Sequence, residues 1–258
     1  MKKAISYLLV FIGLQLFGGA VINQAWSLIT KQTAMSTAQL ITSTVVCSVL
    51  VIAVFLATRW AEVSPRWLRT RPWAVLFWSV IASLGALIPS AWLQEQMPEL
   101  PNLVEQEFDM ILRDRWGYLS IGLLAPLAEE IVFRGAILRS LLNNTQRLSV
   151  WGAIAISAVF FALIHFNPAQ MPHAFVIGLL LGWMYWRTGS ILPGMVYHWA
   201  NNSVAYVMYN IYPNPDMKLI DLFKGSEANV LMAVGFSLLI LLPALYQLHL
   251  WMRRAEEC

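Results

Sequence analysis

Three charged residues, Glu129, Glu130 and Arg134, stand in the stretch Ala125-Pro126-Leu127-Ala128-Glu129-Glu130-Ile131-Val132-Phe133-Arg134, inside an apolar run from about 117 to 141. An ionisable side chain deep in lipid costs at least about 2.5–3.5 kcal/mol on insertion scales, so each needs a partner or a function. Glu130 and Arg134 are four residues apart, acid before base, which lets them pair along one helix face. Glu129 lies about 100° around the helix from Glu130 and is five residues from Arg134, so that pairing leaves it less satisfied. It is the better candidate for a working carboxylate, and the chemistry open to it is general-base catalysis. In a regular helix Pro126 would free the carbonyl of Gly122 and bend the axis, admitting water beside Glu129.

Two further runs carry matching groups. The run 149–166 ends in Phe160-Phe161-Ala162-Leu163-Ile164-His165. His165 is one helical turn beyond Phe161, a spacing that sets the aromatic ring against the imidazole and fixes its rotamer. The run 191–210 holds His198 and Asn202, four apart and therefore on one face. They either build an intramembrane site or make an interhelical hydrogen bond worth about 0.6 kcal/mol. Gly178 and Gly182 have the small-xxx-small spacing of close helix packing, while His173 and His249 read as interfacial. Ser203 follows Asn202 with no nucleophile motif around it, so acyl-enzyme chemistry has no candidate.

These residues need membrane helices to position them. Hydrophobic residues make up 59% of the 258 and charged residues 12%, against about 25% charged in soluble domains. The expected fold is all-α, a polytopic transmembrane helix bundle of about eight spans near 4–23, 37–57, 73–93, 117–141, 149–166, 171–187, 191–210 and 229–252. One membrane domain, 1–258, is expected, with 117–210 carrying the motifs. Gly18-Gly19-Ala20 would also suit signal-peptide cleavage after the first run.

With the N-terminus inside the cell, both termini are cytoplasmic. The inner segments then collect Lys2, Lys3, Arg59, Arg66, Arg69, Arg71, Arg139, Arg147, Arg187, Arg253 and Arg254, eleven cations against five at Lys31, Arg113, Arg115, Lys218 and Lys224 outside. Trp26, Trp60, Trp67, Trp73, Trp92, Trp116, Trp186 and Trp251 fall near span ends, as in an aromatic belt. The acidic segment from Glu95 to Asp114 reads as a solvated outer loop rather than an amphipathic helix. Cys47 and Cys258 make neither a disulfide framework nor a metal site. The scattered cations form no face for nucleic acid, and no internal repeat suggests transporter halves.

Glu129-Glu130-x-x-x-Arg134, Phe161-x-x-x-His165 and His198-x-x-x-Asn202, in this order on three apolar runs, resemble the CAAX protease and bacteriocin-processing (CPBP, Abi) family. The resemblance runs from about Glu129 to Asn202 and includes Gly182 and Arg187-Thr188-Gly189. It implies an intramembrane glutamic endopeptidase. Glu129 would be the base, His165 would orient the attacking water, His198 and Asn202 would form the oxyanion hole, and Glu130, Arg134 and Phe161 would support them. It also implies a peptide or membrane-tethered protein substrate in a bilayer, the bacterial cytoplasmic membrane being the expected place. No cofactor is expected. In a lesser reading Glu129 or Glu130, His165 and His198 hold zinc. Two non-hydrolytic readings are a membrane partner or immunity protein and a proton-coupled transporter. Straight spans would put His165 nearer the outer face than Glu129 and His198, so a shared site requires span edges displaced by a turn or two or a tilted fifth helix.

Overall fold

The computed structural model describes residues 1–31, 34–63, 73–143, 148–214 and 217–252. Arg66, Arg69, Arg71, Arg147, Arg253 and Arg254 of the inner cationic set, together with Trp67 and Cys258, lie outside the described residues. Among the described residues the chain is helical and has no strand. Eight helices answer to the eight apolar runs: α1 (Lys2–Thr30), α2 (Thr37–Ala57), α3 (Trp73–Glu95), α5 (118–142), α6 (Val150–Leu163), α7 (Met171–Thr188), α8 (Leu192–Ile211) and α10 (Glu227–Trp251). Two short helices lie between spans, α4 (Glu105–Leu112) and the single turn α9 (Leu219–Leu222). Serines punctuate the runs: the side chains of Ser36, Ser149 and Ser226 accept from backbone N–H groups of the first turns of α2, α6 and α10, groups the helix itself cannot satisfy.

Among the described residues four helices, α1, α2, α3 and α10, are long and apolar enough to cross a membrane, with mean hydropathy 2.1, 2.6, 1.9 and 2.2 in their most apolar windows. Their large side chains point outward: Phe17, Phe236 and Leu239 are all exposed, which only a lipid solvent makes favourable. α1 and α2 pack together and onto α5, whereas α3 and α10 pack together, with α3 also lying on α8. Gly85 permits the second pairing, since a methyl there would fall 2.8 Å from the Leu241 backbone.

α5 to α8 form the inner group. Gly178 and Gly182 face Ala158 and Ile154 of α6 closely enough that a Cβ would crowd them, so both glycines do serve packing. α6 is shorter than its apolar run. Its 14 residues rise about 21 Å, less than the roughly 30 Å of a hydrocarbon core. The chain turns back after Leu163, which sinks His165 below the level a full span would give it. Asn167 secures that turn. Its fully buried side chain donates to Asn102 Oδ1 at 2.8 Å and accepts from the Leu103 N–H at 3.0 Å.

The acidic segment departs from expectation. It contains α4, whose Phe108, Ile111 and Leu112 turn toward the bundle, so it is an amphipathic helix and not a solvated loop. Tyr209 of α8 donates to Asp109, whose two oxygens also share the Arg113 Nε–H. Asn210 Nδ2 donates to the Leu112 carbonyl at 3.0 Å. With its polar edge tied to α8, the apolar edge of α4 is left to cover the interior.

Candidate active site

α5 is one continuous helix with two wide stretches, Tyr118–Leu124 and Ile131–Leu138, of π type on either side of the regular segment Ala125–Glu130. Pro126 explains the first. The Ala125 N–H bonds the carbonyl of Ser120, five residues back. The next donor in that pattern would be residue 126, which as proline has none. The orphaned carbonyl is therefore that of Ile121, not Gly122 as a regular helix would have it. Asn202 of α8 takes it, Nδ2 donating to Ile121 O at 3.1 Å. An amide nitrogen carries two N–H groups, so one remains for another acceptor.

Glu130 and Arg134 pair as their spacing predicts, Nη1 to Oε1 at 2.7 Å with both side chains fully withdrawn from solvent. The guanidinium also donates to the Gly178 carbonyl of α7 at 3.3 Å and lies 4.5 Å from the centre of the Phe161 ring. Phe161 is thus shared: its ring meets His165 edge-on at 5.2 Å and His198 at 5.8 Å. His165 Nδ1 donates to the Phe161 carbonyl at 2.8 Å. A carbonyl can only accept, so in the neutral ring Nε2 keeps the lone pair.

His198 spans the two carboxylates. Nδ1 lies 3.4 Å from Glu130 Oε1, and Nε2 lies 3.7 Å from Glu129 Oε2. The imidazole in ion-pair range of Glu129 is therefore His198, while His165 stands farther off. Gly194, one turn before His198, makes room for this arrangement: a Cβ there would lie 2.8 Å from Glu130 Oε2, an oxygen that is buried without a hydrogen-bond partner.

Glu129, His165, His198 and Asn202 all line one cavity of about 540 Å³ between α2, α4 and the inner helices. The Glu129 side chain is 17% exposed, against 0% for Glu130, which is the asymmetry their positions around the helix predict. His173 lines the same cavity from the first turn of α7. The signal was the short His165-Phe166-Asn167-Pro168 turn with Pro172 opening the next helix, which returns the chain to the level it left. Asn201 also lines the cavity. Tyr118 ties α5 to α8, its hydroxyl 3.1 Å from Ser203 Oγ and accepting from Trp199 Nε1 at 3.0 Å. Among the described residues, no three His, Cys, Asp or Glu side chains form a group fit to hold a metal ion, so the reading of Glu129 or Glu130, His165 and His198 as zinc ligands gains no geometric support.

Fold and site together describe a helical membrane protein that keeps a charged, partly water-accessible cluster within its spans. Residues 112–204 match the family model described as type II CAAX prenyl endopeptidase Rce1-like, the stretch that holds all three motifs. Among curated proteins, the UPF0177 protein YxdF of Lactococcus lactis subsp. lactis (strain IL1403) is 29% identical over 105 residues, 40% of this chain and 51% of that protein. The chain thus spans about half the length of the curated relative it matches. No solved structure matches.

Proposed function

We propose that this chain is an intramembrane endopeptidase of the glutamic type, hydrolysing a peptide bond of a membrane-associated peptide or protein without a covalent intermediate. The observation that carries the reading is the convergence of Glu129, His165, His198 and Asn202 on one cavity.

The geometry suggests how the proton moves. Nδ1 of His198 faces Glu130 and Nε2 stands beside Glu129. Glu129 takes a proton from a water as it attacks the scissile carbonyl. The free N–H of Asn202 and an N–H of His198 stabilise the resulting oxyanion, and as the C–N bond breaks the proton passes from Glu129 to the leaving amine. His165 helps to orient the water from across the cavity. Glu130, Arg134 and Phe161 hold His198 in place, and the motif core 117–210 works within a single membrane domain. The membrane is proposed to be the bacterial cytoplasmic one, both termini inside.

The test is a cleavage screen of co-expressed membrane peptides with the wild type and Glu129→Gln side by side. Glutamine keeps the shape and removes the basicity, so cleavage should fall by at least about 100-fold while thermal stability is retained. Products formed at an undiminished rate would overturn Glu129 as the base, and the absence of any product specific to the wild type would favour a non-catalytic membrane partner.

A further inference from the structure

A second cavity, of about 780 Å³, opens where the start of α1, the end of α2 and the end of α5 meet. Arg139 on its wall is ten residues beyond Glu129, about 15 Å along α5, so this cavity is separate from the candidate active site. It is lined by Lys2, Lys3, Arg59 and Arg139. Arg139 is partly neutralised by Glu62, its Nη2 lying 2.5 Å from Oε1. Among the described residues, Lys2, Lys3 and Arg59 have no carboxylate partner.

Three details indicate a site built for an anion. First, α2 ends with Arg59 in the left-handed region, φ 57°, while the N–H groups of Trp60 and Ala61 both return to the Phe55 carbonyl. Glycine is the usual residue at such a turn, yet here an arginine is held there at the mouth of the cavity. Second, the buried Ser140 hydroxyl on the wall has no hydrogen-bond partner, and Asn143 lines the same cavity, so uncharged N–H and O–H donors stand available beside the cations. Third, Tyr7 and Trp60 line the same cavity, their rings 5.3 Å apart. Cations at helix ends above aromatic rings reproduce the layering of a membrane surface, with charge at headgroup level and rings at the acyl boundary.

We propose that this cavity binds a phosphate group, and that the cations Lys2, Lys3, Arg59 and Arg139 with the Ser140 hydroxyl hold it. An anionic phospholipid headgroup and free phosphate share this chemistry, and the experiment separates them. Full-length protein in detergent is exchanged with phosphatidylglycerol or phosphatidylcholine, and retained lipid is counted by native mass spectrometry, with and without millimolar inorganic phosphate. The wild type should retain phosphatidylglycerol over phosphatidylcholine by about tenfold. The double variant Lys3→Gln, Arg59→Gln removes two exposed cations and should lose most of that preference with an unchanged melting curve. If inorganic phosphate displaces the retained lipid, the source is free phosphate; if it does not, the source is the headgroup, and either result supports a phosphate site. Equal retention of both lipids by the wild type, or an undiminished preference in the double variant, overturns the proposal.

Discussion

α10 and the centre of α5 are both strongly apolar, yet they meet opposite solvents. In the most apolar window of α10 only 17% of residues are buried, whereas every residue of Ile131–Leu138 in α5 is buried. α10 satisfies its surroundings through composition alone. α5 carries Glu129, Glu130 and Arg134, and is enclosed by α1, α2 and the other inner helices. The four helices apolar enough to qualify as spans unaided are α1, α2, α3 and α10, which are the ones without the motifs. Among the inner helices α6 is apolar but only 14 residues long, the centre of α5 carries three charges, and the lipid-facing helices shield what lipid would penalise.

Removing a charge from the enclosed region should have the largest effect on stability. Glu130→Ala strands the Arg134 guanidinium, which is 1% exposed, and stability measured by unfolding in detergent should drop by about 3–5 kcal/mol. A loss below about 1 kcal/mol, the range of an exposed pair, would mean that water reaches the pair and that the two regions differ less than their burial indicates.

Adding a charge to the lipid-facing region tests the other side. Leu239 sits midway along α10 and is 69% exposed. Leu239→Arg should cost about 2.5–3.5 kcal/mol in membrane insertion, read as the inserted fraction of expressed protein. On a water-facing helix the same change would be neutral, so full insertion would undo the assignment of α10 to lipid.

This contrast also marks what was legible in the sequence. The expected span 37–57 coincides with α2 (Thr37–Ala57) because a lipid-facing helix ends where its apolar composition ends. α1 instead continues to Thr30, past the expected edge at 23, since nothing between Ile22 and Thr30 breaks a helix. The Glu130–Arg134 pair and the Phe161–His165 contact were legible because each lies within a single helical turn. What depends on two helices at once was not. The freed carbonyl moved from Gly122 to Ile121 because the helix widened, and that widening is matched by Asn202, 81 residues away. The sinking of His165 followed from a helix that stops short and is held by Asn167 to Asn102 and Leu103, partners across 65 and 64 residues. His173 enters the cavity through that same turn.

Gly194 gives the smallest expected effect on stability and the sharpest division between folding and function. In the lipid-facing group, Gly85 approaches the backbone of Leu241, so an added methyl would push two helices apart. At Gly194 the methyl would be crowded by the end of the Glu130 side chain, 2.8 Å away, and would touch Leu181 at an ordinary 3.5 Å. A carboxylate can rotate, so Gly194→Ala should cost about 1 kcal/mol, the low end for overpacking. The rotation is not free, however, because Glu130 Oε1 holds Arg134 at 2.7 Å and faces His198 Nδ1 at 3.4 Å. Keeping the stronger arginine bond means giving up the histidine contact, and His198 then loses the partner that sets which nitrogen faces Glu129. In unfolding and peptide-cleavage assays run together, Gly194→Ala should melt close to the wild type while cleaving several-fold more slowly. A variant equally impaired in both would show that the glycine serves packing alone, as Gly85 does.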